Sequence, residues 1–229
     1  MIKPLPLWKV AAVLLGFPII HYFYSLALLH RDLFTFRGID FFLTFWLGSA
    51  LIYLVKIFIV LRLISGSGWT PADIGYRLSR KGTGILTACY LAGALVLVLL
   101  LEMALGQVDL DPDRMASMRG LYPDTTTKRL VFILMAFAGG MSEEIVYRGF
   151  AIRALEGFRI HRWIAVFLAA IPFVFQHGIK SLDQFWWFFG SGIVLGIIFI
   201  TTKRLLPGII LHWLVVLSAL LGVFTAVVQ

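Results

Sequence analysis

The sequence predicts an all-α, polytopic transmembrane helix bundle of about seven to eight spans, with a broken or kinked helix near Pro172. Three observations predict it. The 229 residues are 60% apolar and only 14% charged, with a mean hydropathy of +0.93, outside the range of a soluble globular domain. The apolar residues gather into runs of about 20, the length that crosses a hydrocarbon core of roughly 30 Å. The polar stretches between the runs are short, which excludes a sizeable extramembrane domain, so residues 1–229 read as one integral membrane domain.

The candidate spans, in order, are residues 7–29, 39–61, 84–105, 130–151, 163–177, 184–200 and 205–228. Lys3 and Lys9 open the first like a signal peptide, but its apolar stretch is too long and further spans follow, so it reads as a retained signal anchor. The fifth and sixth are short, and Pro172 interrupts the fifth. The longest polar stretches are 65–82 and 107–128, the second carrying Asp109, Asp111, Asp113 and Asp124. Basic residues of the N-terminal tail and of 62–81, 153–162 and 203–204 outnumber those of the alternate loops. That bias predicts a cytoplasmic N-terminus and a multi-pass protein of the plasma (inner) membrane. The net charge of +8 is accounted for by these flanks and by anionic headgroups, so the reading includes the bilayer as partner and no nucleic acid. Cys89 is the lone cysteine, which excludes an intrachain disulfide and a Cys-based zinc motif.

An ionised side chain inside hydrocarbon needs a partner or a function. Lys56 and Glu102 lie within two turns of a predicted span end and are expected to snorkel to the headgroups. His21 and His30 receive no role. The exception is Met141-Ser142-Glu143-Glu144-Ile145-Val146-Tyr147-Arg148-Gly149-Phe150, which follows Gly139-Gly140. On a helix Glu144 and Arg148 are i,i+4 neighbours and form a local ion pair, while Glu143 and Tyr147 share an adjacent stripe, leaving Glu143 without a helical countercharge. A polar clasp between helices needs one pair and no surplus acid, so the second carboxylate points to general-base work. His177 and His212 lie deep in later spans. One Glu to take a proton from water and two imidazoles to steady an oxyanion or protonate a leaving amine suffice for hydrolysis without a Ser or Cys nucleophile. The same set permits zinc through two His and one carboxylate, yet no H-E-x-x-H helix is present, so no metal and no cofactor is expected.

These residues resemble the CPBP intramembrane proteases, which include the type II CAAX prenyl endopeptidases and bacteriocin-processing or immunity (Abi-like) proteins. The family's ordered motifs are EExxxR, FxxxH and HxxxN. Glu143, Glu144 and Arg148 fit the first, within a family-like Tyr147-Arg148-Gly149-Phe150; Phe173 and His177 fit the second; His212 opens the third. The loop Pro71-Ala72-Asp73-Ile74-Gly75 also looks family-like. The resemblance implies a motif-bearing catalytic core in 128–229 behind N-terminal spans in 1–106. It also implies an endopeptidase acting on a membrane-anchored, lipidated or prenylated CAAX-like substrate. Glu143 would activate water, His177 would position it or move its proton, and His212 would join the oxyanion side. Glu144, Arg148, Tyr147 and Phe173 would support them. The sequence departs from the pattern at Val216, four residues after His212 where the family has Asn, and the chain contains no asparagine. Gln176 and Ser218 are the candidate substitute donors. The alternative is a non-catalytic immunity or scaffold protein, or a proton-coupled carrier.

Counted at about 1.5 Å per residue, Glu143 and His212 should lie roughly 10 Å deep and His177 twice as deep. Meeting therefore requires a break near Pro172 or a fifth span that begins after Trp163.

Overall fold

A computed structural model describes residues 3–76 and 123–227, with residues 84, 85, 88, 89, 92, 93 and 96 between them. Most of the predicted third span, Glu102 and most of the acidic 107–128 stretch lie outside the described residues. All regular structure among the described residues is helical. In order come α1 (Leu7–Ser25), running on as a 3-10 turn to Leu29, α2 (Arg31–Phe36) and α3 (Phe41–Ser65). Then come α4 (Thr126–Glu143), a π-helical segment (Glu144–Ile152), α5 (Arg153–Gly157), α6 (Arg162–Phe175), α7 (Lys180–Asp183), α8 (Phe185–Thr202) and α9 (Leu206–Val227).

Among the described residues, four helical stretches are long and apolar enough to cross a membrane: Leu7–Leu29, Phe41–Ser65, Thr126–Gly157 and Phe185–Thr202. Two shorter apolar helices accompany them, Arg162–Phe175 and Leu206–Leu217. Their starts follow local chemistry. Asp40 caps α3 by accepting the Leu43 N–H at 2.9 Å, and Thr125 caps α4 by accepting that of Lys128 at 3.3 Å. Exposed Leu, Phe and Trp along α1, α3, α6 and α8 form the apolar outer surface that lipid covers in such a bundle.

The π segment is the centre of the bundle, and all nine of its residues are buried. It packs against α1, α3, α4, α6 and α8, and its Tyr147, Phe150 and Ile152 join Val13 and Phe17 of α1 and Val166, Ala169 and Phe173 of α6 in the main core cluster. α3 lies along α4, and α8 along α6. The 70–76 loop docks at Gly149 of the same segment, where a Cβ would stand 2.9 Å from the Ile74 carbonyl oxygen; Leu205 donates its N–H to the Gly75 carbonyl at 3.1 Å, and Arg153 Nε of α5 donates to the Asp73 carbonyl at 3.0 Å.

Pro172 lies inside α6, which ends three residues later, and the chain turns through Gln176–Ile179 before α7. The irregular backbone thus falls one turn after the proline. α6 starts at Arg162, not after Trp163. The depth mismatch disappears for another reason: the helical stretch bearing Glu143 runs on to Gly157, beyond the predicted limit of 151. Glu143 and His177 then both lie about 20 Å along their stretches from neighbouring ends.

Candidate active site

α4 ends on Glu143, and Glu144 opens the π segment, a form of helix common at functional sites. The two adjacent carboxylates point into different surroundings. Glu144 is charge-paired: its Oε1 lies 3.0 Å from Arg148 Nη1 in an ion pair and 3.1 Å from His212 Nδ1. The expected i,i+4 ion pair therefore exists within the π segment. Arg148 Nη2 also donates to the Gly192 carbonyl of α8 at 3.4 Å, and its guanidinium lies 4.1 Å from the Phe173 ring centroid.

Glu143 is bound on one side only. Its Oε1 accepts the Tyr53 hydroxyl of α3 at 2.9 Å. Its Oε2 is buried with no hydrogen-bond partner among the described residues and faces two imidazoles, His212 Nε2 at 3.4 Å and His177 Nε2 at 3.8 Å. Both rings are oriented from behind. His177 Nδ1 sits 2.9 Å from the Phe173 carbonyl, which only accepts, so Nδ1 carries the proton and Nε2 offers a lone pair. His212 Nδ1 is held the same way by Glu144. Two ring nitrogens and one carboxylate oxygen therefore converge as acceptors. The His177 and His212 side chains are 19% and 12% exposed against 4% for Glu143, so access to the cluster is from the imidazole side.

Phe173 joins these parts, its ring contacting Tyr147, His177 and His212 edge-on at centroid distances of 5.6, 5.0 and 6.4 Å. Phe188 stacks on His177 at 3.6 Å. The approach of α9 depends on two glycines. A Cβ on Gly140 would stand 2.6 Å from Trp213 Cδ1, and one on Gly208 would stand 2.6 Å from Glu144 Oε2. Gly140 before the acidic pair is thus a packing notch for the helix bearing His212, while Gly139 lies against the Tyr53 ring of α3. Tyr147 supports by packing, since its buried hydroxyl has no hydrogen-bond partner among the described residues.

One expectation is overturned. Lys56 does not snorkel: α3 continues to Ser65, which sets Lys56 about 13 Å from that end, and the side chain is 2% exposed. Its ammonium donates to Gln176 Oε1 at 3.3 Å and lies over the rings of Phe17 and Tyr53, 5.3 and 5.4 Å from their centroids. His21 also joins this wall, buried and 5.0 Å from Tyr53 ring to ring. Sequence reasoning missed Tyr53, Lys56 and His21 as neighbours of Glu143. The available signal was the i,i+3 spacing of Tyr53 and Lys56 in an apolar run, which puts both on one helix face. Gln176 is buried beside Lys56, Val216 is partly buried, and the Ser218 side chain lies outside the described residues. Among the described residues no group of three or more His, Cys, Asp or Glu is arranged to hold a metal ion. A cavity of about 130 Å³ opens elsewhere, lined by Asp73, Gly75, Arg153, Glu156, Arg162 and Lys203.

A helical bundle of membrane-spanning type, with an acid–imidazole cluster buried at its centre, defines the class: an integral membrane protein of the helical-bundle type. Residues 125–218 match the family model described as type II CAAX prenyl endopeptidase Rce1-like. The matched segment contains Glu143, Glu144, Arg148, Phe173, His177 and His212. No curated protein and no solved structure matches the chain.

Proposed function

We propose that this protein is an intramembrane endopeptidase that hydrolyses a peptide bond of a membrane-anchored or prenylated, CAAX-like substrate with water activated by Glu143. The observation that carries the reading is the convergence of Glu143 Oε2 with the Nε2 atoms of His177 and His212. A water satisfies two of these three acceptors at a time, donating one proton to Glu143 Oε2 and the other to one imidazole Nε2, with an oxygen lone pair turned outward. Tyr53 holds the other oxygen of Glu143, so the carboxylate meets that water in a fixed orientation. In the attack Glu143 takes a proton from the water as its oxygen bonds to the scissile carbonyl carbon. His177 steadies the water, and His212 Nε2, 3.4 Å from Glu143 Oε2, takes that proton on from Glu143 and, as imidazolium, stabilises the oxyanion and delivers the proton to the leaving amine as the C–N bond breaks. Glu144 and Arg148 hold His212 in register. Residues 128–229 form the catalytic core, no metal takes part, and the N-terminus is cytoplasmic.

The test is cleavage of a panel of prenylated and unprenylated membrane-anchored peptides by purified wild type, Glu143→Ala and His177→Ala, with product termini read by mass spectrometry. Wild type should cut, both variants should fail while folded, and strong chelator should leave the wild type active. A wild type inert across the panel defeats the reading.

Val216 favours the second reading, a non-catalytic scaffold or proton-coupled carrier, because a missing oxyanion donor costs about a hundredfold or more in rate. Val216→Asn separates the two. A protease should gain about tenfold or more in kcat from the restored amide; a scaffold or carrier should remain inert.

A further inference from the structure

The four buried charges at the bundle centre balance only if a residue from the N-terminal helices is counted. Glu144 and Arg148 neutralise each other at 3.0 Å. Glu143 then leaves one negative charge, and its remaining titratable neighbours within the matched segment are His177, His212 and Tyr147. From α3 it meets Tyr53 and Lys56, and from α1 His21. Of all these, Lys56 alone brings an ammonium group beyond the Arg148 guanidinium. Lys56 in turn has no carboxylate at ion-pair distance among the described residues; its ammonium is held by an amide oxygen and two aromatic faces. It interacts electrostatically with Glu143 through an interior where charges are weakly screened. Its ring neighbour Tyr53 is the residue that bonds Glu143, so the cation, the ring and the carboxylate form one contiguous group.

We propose that Lys56 is the countercharge of Glu143 and, through Tyr53 and Gln176, a positioning residue for the hydrolysis. With the charges balanced, neither His177 nor His212 has to hold a proton to neutralise the core, and both Nε2 lone pairs stay free for water. Lys56 also clamps the Gln176 carboxamide. Because the ammonium only donates, Oε1 faces it and the amide N–H groups are left unpartnered beside His177. Lys56 therefore fixes the turn that presents His177 as well as the charge state it meets. The catalytic half of this argument rests on the proposed protease reading; the charge pairing does not.

The experiment is a double-mutant cycle on detergent-solubilised full-length protein, using Lys56→Met, Glu143→Gln and the double variant, read by thermal midpoint and by turnover. Lys56→Met alone should lower the midpoint by roughly 10 °C, since it leaves a buried carboxylate unbalanced. Adding Glu143→Gln should recover half of that loss or more. Strictly additive midpoints overturn the pairing, as does a double variant that fails to fold; folding of the double but not of Lys56→Met supports it. In turnover, Lys56→Met should lose about tenfold to a hundredfold in kcat with KM unchanged, and Lys56→Arg should restore most of it. Unchanged kcat in folded Lys56→Met overturns the positioning role and leaves the protease reading standing. Coupled midpoints in a wild type that cleaves nothing leave the ion balance standing and defeat the protease reading.

Discussion

Glu143 and Glu144 are one residue apart, equally buried, and surrounded in opposite ways. The Glu144 side is closed: one oxygen receives a guanidinium and an imidazole, and Gly208 lies against the other. The Glu143 side is half open: Tyr53 holds one oxygen, and the second has no hydrogen bond among the described residues. A charge-paired buried carboxylate is costly to disturb because removing its partner strands a charge, whereas a buried carboxylate with a free lone pair costs stability and is suited to binding or proton transfer. On the proposed reading, the difference separates scaffold from chemistry within a dipeptide.

Substitutions can break that contrast, and the largest effect belongs to the open side. Glu143→Gln keeps the shape and the Tyr53 hydrogen bond yet removes the base, so peptide cleavage should fall about a thousandfold or more while the protein still purifies folded. A variant with near wild-type turnover would reverse the assignment of the two carboxylates. Next comes the closed side. Arg148→Met strands Glu144 and should cost about 3–5 kcal/mol, seen as a loss of thermal midpoint and of folded yield before any specific kinetic defect. If Arg148→Met is stable and only slow, the pair is part of the chemistry and the contrast fails.

Gly208→Ala forces a methyl toward Glu144 Oε2 and should cost about 1–3 kcal/mol, with a kcat loss that follows the displacement of His212. Equal loss from a change on the outer, lipid-facing side of α9 would show that the packing notch is not specific. The smallest effect is at the membrane edge, where Asp40 is exposed and its carboxyl is held below the usual range first by the Leu43 N–H and also by Lys128. Its folded-state value is depressed, so its contribution is present above the unfolded carboxylate range and fades as pH falls through the folded value. Asp40→Ala should cost about 1 kcal/mol near neutrality and nothing in strong acid, measurable as converging thermal midpoints. A cost independent of pH would mean that the cap, not the charge, is what is lost.

The helical class, the first two spans and the composition of the cluster were legible because a bilayer demands long apolar runs, and polar residues inside them stand out against that background. The family match over 125–218 agrees with the motifs that singled out Glu143, Glu144, Arg148, Phe173, His177 and His212. What the sequence could not supply was distance across helices. The expectation that Lys56 snorkels rested on a span end at 61; four more residues of helix moved it into the core. The apparent depth of His177 failed for the same reason, since Glu143 lies on a helical stretch that extends to Gly157.

By itself, then, the sequence determined that this protein is a helical membrane bundle and that Glu143, Glu144, Arg148, His177 and His212 fall inside its apolar runs, because hydrophobicity and the energetic cost of burying charge are properties of residues taken one at a time. Only the tertiary structure decided which carboxylate is charge-paired, which lone pairs converge, and that α1 and α3 supply His21, Tyr53 and Lys56 to the site. Those outcomes depend on angstrom-scale contacts between helices far apart in the chain, set by glycine notches, helix ends and aromatic packing that no local pattern encodes.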